Sequence, residues 1–457
     1  MAPSTLSLHP GRVADRPGVR LDPPASTSGA VDVLHVIHLS FEGPDAYAHA
    51  GGLAVRVTTM AQSLASLGHL VDLYFVGDPT APPVEHRRGV TLHRWSQSIS
   101  SCAPHGVYDG EEDKIADWCT SLPPQLADVV ADDAAAGRRT MILAEDWHTA
   151  WPLICLHDEL VRRGLRHHPV LAWTANNRFG FERIDFGRLD QAALILTISK
   201  AMKHLMWGYG VNPRVVPNGL DPAWIDGDVC ARAGAGTPDL ARRMRRVLIG
   251  RTVLTKVGRW DPDKRWLMAL HAVADLADRG RPTVLLARGW NGSPAAGAHA
   301  RELKEAAARR GLPWITLHEG GPEGCRLPEA LADAAIPANA VVELSFPVAG
   351  PSLAGLYRGA DAVLANSGFE PFGLVGLEAM AAGAIVVTGS TGEDYLRPFH
   401  NGFALDTDDP SEIIGCLEWL GRDPARARSL RSAARRTAAA YSWPAVLERL
   451  LLSTATA

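Results

Sequence analysis

From residue 31 to residue 390 the chain alternates short apolar runs with longer amphipathic stretches, and no other feature limits its fold as strongly. "VDVLHVIHLS" (31–40), "LVDLYFVG" (70–77), "TMILAEDWH" (140–148), "HPVLAWTAN" (168–176), "AALILTIS" (192–199) and "PRVVPNGLD" (213–221) read as strands. "AVRVTTMAQSLASLGH" (54–69) and "KAMKHLMWGYG" after residue 199 read as helices between them. Strand, helix, strand in repetition predicts a parallel sheet with helices on both faces. The scheme recurs with strands at 252–259, 282–289, 314–320, 340–347, 361–367 and 384–390, and with helices near 265–279 and 298–310. The expected fold class is α/β, two doubly wound Rossmann-like domains facing a cleft.

Length supports the division, because 457 residues exceed one ordinary core. Between the repeats, "DGDVCARAGAGTPDLARRMRR" (226–246) breaks the pattern with glycines and charges. It is taken as a linker between a first domain at 31–225 and a second at 247–440, followed by a closing segment at 441–457. Residues 1–30 are rich in Pro, Ser, Gly and Arg and lack the apolar stretch of a secretory signal, so they read as a disordered tail.

Charge narrows the function classes. Lys and Arg number 46 against 50 Asp and Glu, a net charge of −4 that gives no support to a nucleic-acid binder. Six cysteines are scattered without a C-x-x-C pair, which suits a reducing cytoplasm better than zinc or a disulfide framework. No run of eighteen apolar residues is present, so no transmembrane helix is expected.

Doubly wound sheets bind ligands at the carboxyl ends of their strands, so the turns there carry the candidate chemistry. "HAGGL" (49–53) opens a helix with Gly51 and Gly52, where backbone can approach an anion closely; a simple turn explains it equally well. "VGRWDPDK" (257–264) sets Arg259 and Lys264 around a loop, either to clamp an anion or to pair with Asp261 and Asp263. "LAEDWHTAW" (143–151) ends a strand with Glu145, Asp146 and His148. A histidine beside tryptophan is more often structural, and this spacing is no metal site. "GFEPFGLVGLEAM" (368–380) delivers Glu370 at a strand end, starts a helix near Phe372 or Gly373, and puts Glu378 on Leu374's face. An acid in that apolar helix needs donors: sugar hydroxyls, or an internal ion pair. Glu370 has a cap-like alternative.

Together with "ILTISKAMK" (195–203) and "VVPNGLD" (215–221), the turns "GGLA" (51–54), "EDWHT" (145–149), "VGRWDPDK" and "FEPFGLVGLEAMAAG" (369–383) resemble the retaining GT-B glycosyltransferases of family four, relatives of glycogen synthase. The resemblance spans residues 31–450, and the last motif is that family's Glu-x7-Glu signature. It implies transfer of a sugar from a nucleotide-sugar donor to a hydroxyl acceptor, with retention, no metal ion and no cofactor. It assigns Gly51 and Gly52 to the donor diphosphate and Arg259 and Lys264 to its neutralisation. The N–H groups of Phe372, Gly373 and Leu374 take the sugar–phosphate end, Glu370 the sugar and Glu378 the ribose. His148 falls to the sugar's 6-hydroxyl, and Pro347 and Val348 of "SFPVAG" (345–350) to the base.

Two departures touch substrate contacts. "WTANNRFGFERID" (173–185) stands where relatives show a His-Asn pair, leaving Asn176, Asn177 and Asp146 as acceptor-side candidates. "STGEDYL" (390–396) has one glycine before Glu393 where the family commonly has two. The tail "YSWPAVLERLL" (441–451) resembles the family's closing helix, which crosses back to the first domain. Within this frame the alternatives are a phosphorylase- or epimerase-like enzyme and a catalytically silent nucleotide-sugar-binding regulator.

Overall fold

The computed structural model describes residues 33–225, 237–290, 294–389 and 392–455. The tail expected at 1–30 and residues 226–236 of the expected linker lie outside them. The first sheet contains β1 (Leu34–Leu39), β2 (Leu70–Val76), β3 (Val84–Arg87), β4 (Val90–Trp95), β5 (Arg139–Glu145), β6 (Val170–Ala175), β7 (Leu194–Thr197) and β8 (Arg214–Val215). Its order is β3-β4-β2-β1-β5-β6-β7-β8. All pairs are parallel except the β3–β4 hairpin. β1 is buried along its whole length, as a strand covered on both faces must be.

The second sheet contains β9 (Thr252–Arg259), β10 (Thr283–Trp290), β11 (Trp314–Leu317), β12 (Ala340–Leu344), β13 (Ala362–Ala365), β14 (Val386–Thr388) and β15 (Phe403–Ala404). Its order is β11-β12-β10-β9-β13-β14-β15, and every pair is parallel. In each sheet the winding reverses beside the first strand. The reversal lies between β1 and β5 in the first and between β9 and β13 in the second. A crevice opens outside the carboxyl ends of the strands at such a reversal. Two Rossmann-like sheets of this kind make the GT-B fold.

Several details differ from the sequence reading. Residues 237–246 of the expected linker are helical, within Thr237–Val247. That helix buries Leu240 and Met244 against Gly355 and Gly359 of the helix Gly350–Gly359, so it is part of the second half. After β4 come a short helix, Gln97–Cys102, and a 25-residue helix, Glu111–Ala135, for which no element was expected.

The closing segment forms the helix Trp443–Ala455, whose Trp443 ring is buried and donates from Nε1 to Thr59 Oγ1 (2.8 Å) on the first half's helix Gly52–Ser66. Gly219 lies under that ring, where an added Cβ would sit 2.3 Å from it. Other ties between the halves are the Leu220–Ser442 bridge and the Lys200 N–H, which donates to Asp394 (3.3 Å). Among the described residues, no helix is long and apolar enough to cross a membrane.

Candidate active site

Most of the sequence-predicted residues follow β1, β5, β9 and β13, the strands that flank the two reversals, whereas Asn176 and Asn177 follow β6 and Pro347 and Val348 follow β12. After β1, Glu42 caps the loop into the first helix: its Oε2 accepts the Gly51 N–H (2.9 Å) and the Ala54 N–H (3.0 Å). Gly51 is extended (φ −174°), a conformation open to any residue, and a Cβ at Gly51 or Gly52 would meet nothing within 4 Å. Neither backbone conformation nor packing within the protein demands glycine there. A ligand approaching the backbone would.

Across the crevice, β5 ends in Glu145 and Asp146. Glu145 is fully enclosed and receives Arg56 Nε (3.1 Å) and Asn176 Nδ2 (2.6 Å), with His38 Nε2 at 3.1 Å. Burial pushes its carboxyl up, but the Arg56 charge and these hydrogen bonds outweigh burial and hold it at about 2. Asp146 stands at φ 63°, unusual for a residue with a side chain. Its Oδ1 accepts the Asn176 N–H (2.8 Å) and its Oδ2 accepts Asn177 Nδ2 (2.7 Å). Burial, reinforced by the Glu145 and Glu42 charges, pushes Asp146 up to about 7 against those hydrogen bonds. The three acceptor-side candidates thus form one unit, with Asp146 locking both asparagines.

His148 is buried in an aromatic cage, stacked on Phe41 (4.4 Å between centroids) and Tyr108 (5.2 Å), with Trp147 at 3.9 Å. Burial, then the Arg183 charge, lowers its pKa to about 3, so the ring is neutral near pH 7. Nε2 lies 3.4 Å from Glu111, while the buried Nδ1 has no protein partner among the described residues. Such a ring can accept from, or donate to, a hydroxyl.

In the second half, Arg259 ends β9 exposed, its Nε 3.0 Å from Asp261. Lys264 pairs with Glu370, whose Oε1 also accepts from Ser367 Oγ (2.8 Å). The Gly368 N–H donates to the Asp263 carbonyl (2.8 Å) and ties the loops after β9 and β13 together. Glu370 therefore has the ion pair that the sequence reading held open for Glu378. The helix begins at Leu374, and Gly373 before it occupies the left-handed region (φ 85°), which favours glycine. Among the described residues, no protein acceptor takes the N–H of Phe372, Gly373 or Leu374.

Glu378 is partly exposed, and no ion pair reaches it among the described residues. Burial pushes it up to about 7, partly offset by the Tyr357 hydroxyl. Pro347 is exposed in the loop after β12, whereas the Val348 side chain is buried and packs within 3.2 Å of the Cβ position at Gly324. Glu393 is exposed, and Ser390 and Thr391 before it lie outside the described residues.

Residues 245–437 match the family model described as "Glycosyl transferases group 1". A D-inositol 3-phosphate glycosyltransferase of Rhodococcus erythropolis is 26% identical over 435 residues, 88% of this chain and 86% of that protein. The enzyme of the same name from Kineococcus radiotolerans is 29% identical over 439 residues, covering 88% and 89%. Among solved structures, the catalytic domain of Arabidopsis thaliana starch synthase IV superposes with a TM-score of 0.63 over 93% of this chain and 100% of that one, at 16% identity. Sucrose-phosphate synthase from Thermosynechococcus elongatus gives 0.59 over 92% and 99%, at 19% identity.

The chain is a glycosyltransferase of the GT-B fold. It moves a sugar from a nucleotide-sugar donor to an acceptor. Sequence reasoning missed three of its polar features. Glu42 follows β1 in no recognisable pattern, and Tyr108, which donates to Glu42, sits in a stretch without periodicity. Lys256 did leave a signal, a lysine inside the apolar run "TVLTKVGR".

Proposed function

We propose that the protein transfers the sugar with retention of configuration and without a metal ion. The donor is a nucleoside-diphosphate sugar seated on the second half, and its partner is an acceptor hydroxyl held by the first. One observation carries this reading: the loops after β9 and β13, which bear Arg259, Lys264 and a helix start whose first three N–H groups have no protein acceptor among the described residues, are tied together at the β9/β13 reversal. Breaking the bond between anomeric carbon and phosphate oxygen leaves negative charge on the diphosphate. Fixed cations and helix-terminal N–H groups stabilise that charge, typically the largest catalytic contribution.

Gly51 and Gly52 approach the diphosphate from the first half. Glu378 accepts from the ribose, Glu370 faces the sugar, and neutral His148 orients a sugar hydroxyl. Pro347 and the Val348 backbone border the base, since the Val348 side chain is turned inward. Asp146, Asn176 and Asn177 shape the acceptor side. The acceptor attacks from the face the diphosphate leaves, and the departing phosphate oxygen takes its proton. No covalent glycosyl-enzyme forms, unlike the two-carboxylate retaining glycosidases. On the name its relatives carry, D-inositol 3-phosphate is the first acceptor to test.

A nucleotide-sugar panel screened by thermal shift identifies the donor, since ligand binding raises apparent stability. Product anomers are then assigned by NMR, and activity is measured with excess chelator. Retention, activity unaffected by chelator and no trapped glycosyl-enzyme are expected. An inverted product or a covalent intermediate would sink the mechanism.

A further inference from the structure

Lys256, in the middle of β9, is 2% exposed. Its Nζ donates to the Leu364 carbonyl (3.3 Å) and to Asn366 Oδ1 (2.5 Å), and it lies 5.2 Å from the centre of the Trp266 ring. A neutral amine has two N–H groups, enough for these two acceptors, and no carboxylate stands within ion-pairing distance among the described residues. The charged groups facing it are Glu370 on the loop after β13, and Lys264 and Arg265 on the loop after β9. Glu370 is already paired with Lys264. On the β10 side its register partner is Ala287, which carries no charge.

The contacts around this amine reach both donor loops. Asn366, itself fully buried, donates from Nδ2 to the Arg265 carbonyl (3.5 Å), and Trp266 Nε1 donates to the Arg259 carbonyl (2.7 Å). Leu364 and Asn366 lead directly into Ser367 and Glu370. Lys256 thus stands beneath the junction of the segments that carry Arg259, Lys264 and Glu370.

We propose that Lys256 is a positioning residue coupled to the donor phosphates: it holds the Glu370 loop as a neutral amine and takes up one proton from solvent when a diphosphate binds above it. The proposal rests on the donor reading given under Proposed function. Burial is the main reason the amine is neutral, lowering its pKa to about 7, with Lys264 and Arg265 adding to burial and Glu370 opposing it. Two new negative charges about 10 Å away, roughly three strand residues, raise its proton affinity about a hundredfold at an effective dielectric constant of about 20. By linkage, the proton tightens diphosphate binding by the same factor.

The test is calorimetric titration of UDP, ADP and GDP into the full-length protein at pH 8, in two buffers of different ionisation heat. At that pH the nucleotides, Glu378 and Asp146 have already lost their protons, so uptake reports on Lys256. Wild type should take up most of one proton with the nucleotide it binds. Lys256→Met should take up none and bind about tenfold more weakly. Lys256→Arg, permanently charged, should bind without uptake, and Lys256→Gln should behave as the methionine variant does, replacing it if that variant fails to fold. Binding by wild type without proton uptake, or equal uptake in wild type and Lys256→Gln, overturns the role of Lys256 alone. Failure of wild type to bind any of the three overturns the donor reading and this proposal with it.

Discussion

Lys264 and Arg259 are both cations at the end of β9, yet their surroundings differ. Lys264 is mostly buried and held against Glu370, so its charge acts where water screens little. Arg259 is more than half exposed and shares its charge with Asp261. Lys264→Ala should lower kcat about a hundred- to a thousandfold, and Arg259→Ala should cost less. Donor hydrolysis without acceptor reports the same step. Equal hydrolysis rates in wild type and Lys264→Ala would remove Lys264 from the leaving-group site.

At the scale of elements, a polar cluster pins three of them together. His35 on β1 lies 2.6 Å from Asp133 of the helix Glu111–Ala135 and 2.9 Å from Asp72 on β2. Burial works against the imidazolium, but the hydrogen bonds and charges of Asp72 and Asp133 outweigh it and raise the pKa. The folded state therefore binds this proton more tightly than the unfolded chain. Its stabilisation is complete below about 6.5, the unfolded value, and disappears as pH rises through the folded one. The Tm difference between wild type and His35→Gln should accordingly be largest near pH 6 and shrink toward pH 9. A constant difference would mean that the ring acts through packing alone. The closing helix is pinned by shape instead. Trp443→Ala should cost about 3–5 kcal/mol in denaturant unfolding, and Gly219→Ala should destabilise because its methyl meets the same ring.

How far these elements could be read from the residues depends on what each one displays. β1 is apolar apart from His35 and His38, and the turns after β9 and β13 combine Gly or Pro with charge, so both announce themselves locally. The helix Glu111–Ala135 carries Pro123 and Pro124 in its interior, which argues against a helix until Trp118, Leu122, Leu126 and Val130 are seen packed in the core. Pairings across long sequence separations leave no local trace. That Lys264 would engage Glu370 and leave Glu378 unpaired depended on how β9 and β13 come side by side. The Asp146 clasp on Asn176 and Asn177 likewise required β5 and β6 as neighbours.

For the molecule as a whole, the division into halves separates two kinds of energy. On the proposed reading, groups on the second half surround the donor phosphates and ribose, whose contacts exist before reaction as well as during it. Losing Glu378 should therefore weaken nucleotide binding together with turnover. His148 belongs to the first half, in a cage that includes Phe41 and Tyr108, and the proposed mechanism sets its neutral ring against the sugar alone. An interaction that strengthens mainly in the transition state lowers kcat when removed and leaves nucleotide affinity alone. His148→Ala should reduce kcat about a hundredfold while nucleoside-diphosphate affinity, measured by calorimetry, stays within about twofold of wild type. Because the imidazole is already neutral at pH 7, with its pKa near 3, the NMR shifts of the His148 ring should show no titration between pH 5 and 8 in wild type. A large loss of nucleotide affinity in His148→Ala would place that ring against the diphosphate and erase the proposed separation of roles between the halves.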